Sequence, residues 1–350
     1  MINRRKFIKI GSMAGAGMLL PWKFARQALA QIPGGTLDPA DVDKFELPLV
    51  IPPAMPMKIK GMGPKGVDKY KISVRQFQQR ILSNPHPMTT VWSYGSFDHP
   101  STFNYPAFTI EATHGMTTQV EWVNELVDAN GDYLPHLLPV DQTLHWANPP
   151  GGHHGRDRRP TFSSTPGPYT GPVPMVTHVH GAHTTEESDG YPEAWYLPAA
   201  NNIPGHYAKT GTWYDAYVKK YRLRWDLGTA VFRYPNDQRA TTLWYHDHTL
   251  GMTRLNVYAG PAGFYLVRGG ADGQPTSGTL PGPAPGVGDN PFGTYYEIPI
   301  VVQDRSFNDD GSLFYPDSRY FFDEYGGFGC GRCSSFHRFN SIRPAFHGGF

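Results

Sequence analysis

Short runs of alternating apolar and polar side chains dominate the chain after its first thirty residues. Residues 70–77 (YKISVRQF) alternate throughout, and 89–94, 107–111 and 118–124 are rich in β-branched and aromatic residues. Asn84-Pro85, His99-Pro100 and Asn130-Gly131 supply turn chemistry between them. Residues 174–179, 220–225, 241–246 and 263–267 read the same way. Strands this short and this closely spaced, without long helical periodicity, predict an all-β Greek-key β-sandwich.

The same pattern divides the chain. Residues 48–56 are Pro-rich and predict an extended arm, not a core strand. Residues 31–268 then hold one complete sandwich with that arm at its start. Residues 269–291 (GGADGQPTSGTLPGPAPGVGDNP) form a Gly/Pro linker with almost no apolar content. A fresh strand is expected over 295–303, opening a second unit over 292–328. Composition changes abruptly after Phe328, and 329–350 has no strand pattern, as expected of a tail translated out of frame or of a divergent end.

The first thirty residues are of another kind. Arg4-Arg5 precede Lys6-Phe7, an apolar run follows over 10–20, and Ala28-Leu29-Ala30 offers a small-x-small cleavage pattern. The run is too short to span a bilayer of ~30 Å. Residues 1–30 resemble a twin-arginine signal peptide, an address read by export machinery and not a stable membrane anchor. It implies a periplasmic or extracellular protein.

Composition supports the strand reading: Gly (39) and Pro (34) make up about a fifth of the 350 residues, and aromatics 14%. A formal net charge of +1 leaves no strong basic field for a nucleic-acid partner. With only Cys330 and Cys333 present, a disulfide framework is excluded for most of the chain.

The chemistry lies in two His-x-His pairs. His178-Val179-His180 closes an apolar run and is followed by Gly181; His246-Asp247-His248 follows Leu243-Trp244-Tyr245. On a strand, residues i and i+2 share a face, so each pair presents two imidazoles side by side. Imidazole ligates copper, zinc, iron or nickel, and spacing alone does not choose among them. Asp189-Gly190 also reads as an ordinary turn. His136, His145, His153, His154 and His183 lack such pairing and read as loop or hydrogen-bonding residues.

Two longer stretches carry a resemblance. Residues 175–181 (MVTHVHG) with 188–195 (SDGYPEAW), and 243–248 (LWYHDH) with 253–260 (TRLNVYAG), resemble the first two copper motifs of multicopper oxidases, in the branch of bacterial spore-coat laccases and bilirubin oxidases. The similarity runs from Pro48 to about Phe328. It implies a cupredoxin-like sandwich, with His178 on a type 2 copper, His180 and His246 on one type 3 copper, and His248 on the other. It also implies that Asp189 assists proton delivery while O2 is reduced to water at the expense of a phenolic, pigment or metal-ion substrate.

The family's later His-x-His and His-Cys-His motifs are absent from these 350 residues, and no His flanks Cys330 or Cys333. The expectation is a chain with half of the trinuclear copper ligands and no type 1 copper, inactive alone. The alternative is a non-catalytic exported cupredoxin-fold protein with a copper-binding or structural role.

Overall fold

Two four-stranded sheets pack face to face. In chain order the strands are β1 (Val67–Gln79), β2 (Thr89–Ser96), β3 (Ala107–Thr113), β4 (Thr117–Asn124), β5 (Thr177–His180), β6 (Thr229–Tyr234), β7 (Thr241–Asp247) and β8 (Ala262–Arg268). One sheet runs β2-β1-β4-β6 and the other β3-β8-β7-β5. From β2 onward the chain crosses between sheets at almost every connection, so β1 and β4, and β3 and β8, become parallel neighbours while the other pairs are antiparallel. The computed structural model describes residues 36–63, 66–164, 166–270 and 284–317. The expectations for residues 1–30, much of the linker, the tail at 329–350 and both cysteines lie outside the described residues.

Alternation along the strands builds the core. Tyr70, Ile72 and Val74 of β1, Val120 and Trp122 of β4, and Ala230, Phe232 and Tyr234 of β6 are buried. They face Ile110, Val179, Tyr245, Tyr265 and Val267 of the other sheet. Aromatic contacts join the layers: Tyr94 lies 5.1 Å from Tyr245, and Trp122 5.5 Å from the same ring, centroid to centroid. Burying side chains of this size contributes about 1.5–3 kcal/mol each, before the entropy of ordering them.

Two expectations are corrected and a third is extended. Residues 220–225 are not a strand. Helix α2 (Thr212–Tyr221), which follows the one-turn α1 (Gly152–Gly155), reaches into them and ends at Arg222 in a left-handed conformation. Tyr214, Tyr217 and Val218, at helical spacing, pack on the core and hold α2 in place. The strand lies further on, as β6.

Residues 295–303 form no strand either. Tyr296, Ile298, Ile300 and Val302 alternate but remain exposed, because no described strand pairs with their backbone. The segment is tied back through Arg268, which bonds both Glu111 and Glu297. After it, β9 (Ser306–Phe307) and β10 (Leu313–Phe314) make a small hairpin whose Leu313 is buried.

The Pro-rich arm is extended as expected, yet it is more than an arm. Ile51, Ala54 and Met55 are buried, Thr109 N–H donates to Pro53 O (2.8 Å), and Met55 N–H donates to Thr109 O (2.7 Å). It thereby covers the free edge of β3, which would otherwise expose unpaired backbone groups. Among the described residues no helix is long and apolar enough to cross a membrane.

Candidate metal centre

β5 is an edge strand and β7 its inner neighbour, paired antiparallel with His178 opposite His246 and Thr177 opposite Asp247. That register brings all four histidines of the two motifs together. His178 and His248 stack at 4.7 Å between centroids, His178 and His180 are 5.5 Å apart, and His180 and His246 also 5.5 Å. Burial is graded across the cluster: His246 is buried, His178 and His248 are partly covered, and His180 is exposed. Trp244 packs on His246 at 4.0 Å and on His180 at 5.5 Å.

Three rings are oriented by backbone carbonyls. Nδ1 of His178 meets Asp189 O (2.5 Å), Nδ1 of His246 meets Asp247 O (2.7 Å), and Nδ1 of His248 meets Gly190 O (2.8 Å). A carbonyl only accepts, so each Nδ1 carries the proton and each Nε2 keeps its lone pair. This is how metal-ligating histidines are commonly fixed. His180 differs: its Nδ1 lies 3.2 Å from His246 Nε2. Without a metal, His180 Nδ1–H donates to that lone pair. With His180 turned to its other tautomer, these two nitrogens would be the pair that could hold one ion together.

Electrostatics favour neutral rings at the buried end. Burial pushes His246 down to about 4, the other three imidazoles add to this, and its bond to Asp247 O opposes it. Burial likewise lowers His248. At His178 burial also acts downward, but the side-chain and backbone bonds from Asp189 outweigh it and leave the ring above the usual imidazole value. Neutral imidazole is the ligating form.

The loop after the first motif is shaped for these bonds. A 3₁₀ turn (Glu186–Ser188) leads into Asp189, and Gly190 follows at φ 77°. A Cβ on Gly190 would stand 2.2 Å from Thr177 O, so only glycine brings this carbonyl to His248. The Asp189 carboxylate lies 3.5 Å from His178 Nδ1 and is about one-third exposed (35%). It therefore flanks the ring on the side away from Nε2.

Among the described residues no three His, Cys, Asp or Glu side chains are grouped to hold one ion. The four imidazoles offer lone pairs singly or as one pair, and any ion they hold needs further ligands on the open side. The donor set fits copper, for which imidazole is a suitable ligand. Three of the other histidines are engaged elsewhere: His136 bonds Asn256 (3.0 Å), His145 the carbonyl of Asp157 (2.8 Å), and His183 the carboxylate of Asp237 (3.1 Å). Sequence reasoning missed Asp247 and Asn256, buried polar residues directly behind the centre. The only signal was a charged residue at the core-facing position of an alternating strand.

No family model matches the chain. It is 35% identical over 230 residues to a laccase of Bacillus stratosphericus (66% of this chain, 32% of the relative). It is 30% identical over 277 residues to a laccase of Bacillus subtilis strain 168 (79% and 40%). It is 33% identical over 318 residues to a laccase of Haloferax volcanii (90% and 42%). Solved structures with similarity include the multicopper oxidase McoA of Aquifex aeolicus, at 17% identity and TM-score 0.41 over 77% of this chain and 38% of that one. Another is a multicopper oxidase of Campylobacter jejuni, at 16% identity and TM-score 0.38 over 67% and 32%.

The resemblance to laccases of the multicopper oxidase family is thus upheld by sequence. The chain spans about a third to two-fifths of the length of these laccases.

Proposed function

We propose that the chain supplies the amino-terminal half of a trinuclear copper centre in a laccase-like oxidase. In this reading His178 holds a type 2 copper, His180 and His246 share one type 3 copper, and His248 holds the other. The observation that carries it is the nitrogen geometry: three Nε2 lone pairs freed by backbone carbonyls, and Nδ1 of His180 set 3.2 Å from one of them.

Copper bound there supplies the one-electron redox chemistry for reducing O2 to water. The chain's own groups orient the ligands and exclude solvent at the buried end, where Trp244 covers His246. Asp189 is assigned the proton-delivering role; its partly exposed carboxylate beside His178 supports this, since four protons must reach the site for each O2. Electrons come from a phenolic, pigment or metal-ion substrate through a Cys-ligated copper, and the 350 residues contain no His-Cys-His for one. Export by the twin-arginine machinery to the periplasm or beyond is part of the same proposal, supported by Arg4-Arg5 and Ala28-Leu29-Ala30.

The test is copper titration of the purified 350-residue chain. Stoichiometric uptake is expected, lost at the shared position in His246→Ala, with no blue absorbance and no phenol oxidation by the chain alone. Uptake unchanged in both His178→Ala and His246→Ala would sink the ligand assignment. Turnover of a phenol would sink the half-centre reading.

A further inference from the structure

Alternation along β7 turns His246 to one face of the sheet and Tyr245 and Asp247 to the other. Asp247 thus places a carboxylate on the core side, behind the imidazoles, with 0% of the residue exposed. Such a group destabilises the fold unless its lone pairs find donors. Four donors meet it. Oδ1 accepts from Val176 N–H (3.2 Å) and Thr249 Oγ1–H (2.8 Å), and Oδ2 from Thr249 N–H (3.0 Å) and Asn256 Nδ2–H (2.9 Å).

These donors come from three places: the chain entering β5, the loop leaving β7, and helix α3 (Thr253–Ala259). Asn256 is itself fixed, donating to Pro174 O (3.1 Å) and bonded through Oδ1 to His136 Nε2 (3.0 Å). Val176 lies two residues before His178, and Thr249 directly follows His248. The β5–β7 ladder stops at the pair Thr177 and Asp247. His248 therefore stands beyond the ladder, with its N–H on Val176 O (2.8 Å).

We infer that Asp247 is a positioning residue: by gripping Val176, Thr249 and Asn256 together, its carboxylate fixes where His178 and His248 stand. His180 and His246 are set by the ladder itself. As it bears on copper, the inference rests on the ligand reading above. Asparagine does not substitute, because it turns N–H donors toward a pocket already filled with donors.

The test compares the 350-residue chain with Thr249→Val, which removes one donor at nearly constant volume, and with Asp247→Asn. In the metal-free proteins, nitrogen NMR of the imidazoles is expected to show His248 and His178 losing their fixed Nδ1–H tautomers while His246 keeps its own. In copper titrations the weaker sites are expected to fall about tenfold or more, the loss that follows disturbance of groups supporting metal ligands. The His180–His246 site should hold. Tautomers and copper affinities equal to wild type in Thr249→Val, whatever its stability, would overturn the inference. Absence of copper uptake by the wild-type chain would defeat the ligand reading alone, since the tautomers report the positioning without metal.

Discussion

The two histidine pairs share a spacing and differ in support. His246 sits on β7, an inner strand paired on both sides, with Tyr245 beside it wedged against Tyr94 and Trp122. His178 and His180 sit on β5, a four-residue edge strand with one partner. The core places His246, whereas His248, beyond the ladder, depends on the Gly190 carbonyl and the bonds around Asp247. On the edge strand the ladder sets the backbone, and the rings are placed by what reaches over to them: the Asp189 carbonyl for His178, and His246 and Trp244 for His180. An inner strand gives a ligand permanence, whereas an edge strand leaves room for ligands from elsewhere.

If the core places His246, the largest effect belongs to Tyr245→Ala. This side chain is wholly buried and its hydroxyl donates to Phe108 O (2.5 Å). A loss of about 3–5 kcal/mol is expected in denaturant unfolding. A cost under about 1 kcal/mol would remove the distinction between the strands.

Acid should come next. His246 and His136 both have folded values of about 4, below the usual 6.5, so the unfolded chain binds protons there first as pH falls. Each contributes stability that is full above about pH 6.5 and is lost on descent to about pH 4, at most about 3 kcal/mol per group. Asp247, raised to about 6 by burial against its hydrogen bonds, opposes them, because the folded protein then holds a proton that the unfolded chain has released. The metal-free chain is therefore expected to lose stability between pH 6.5 and 4. His246→Gln should flatten that dependence nearly completely, leaving His136 against Asp247. An unchanged slope would show that the inner pair is less enclosed than its geometry implies. His178 has the opposite sign: its raised value adds stability at low pH that is lost as pH rises through that value.

Gly190→Ala separates the histidines held by loop carbonyls from those held by the ladder. The added methyl meets Thr177 O and the residue must hold a positive φ, a cost of about 1–3 kcal/mol. Copper affinity should fall through His248 and His178 while the position shared by His180 and His246 is largely kept, as read by titration. A uniform loss at all positions would mean that the loop-held and ladder-held histidines stand or fall together.

Much of this was legible in the sequence because alternation is a local signal. β4 and the first part of β1 emerge from runs whose buried face repeats every second residue, β2, β3, β7 and β8 from short runs rich in β-branched and aromatic residues, and the His-x-His spacing reads directly as two rings on one face. β6 was missed beside a helix whose last turn, rich in Lys and aromatics, imitates a strand. Residues 295–303 have the alternation but no described partner, and pairing is not encoded in one segment. The burial of the Pro-rich arm depends on the exposed edge of β3, and the hydrogen bonds of Asp247 on groups far apart in sequence. The neighbouring position of the two pairs follows from the register of β5 on β7, which no spacing within either motif contains.

That register also fixes when the centre can come into being. The two facing nitrogens belong to residues 66 apart, and β7 is held on its other side by β8, which pairs in turn with β3. The bond from Arg268 back to Glu111 closes a loop of 157 residues. Contacts this distant form slowly and only once both ends exist. A growing chain therefore has no ordered set of imidazoles to offer a metal until the whole sandwich has been made, and any metal taken up there meets a finished fold.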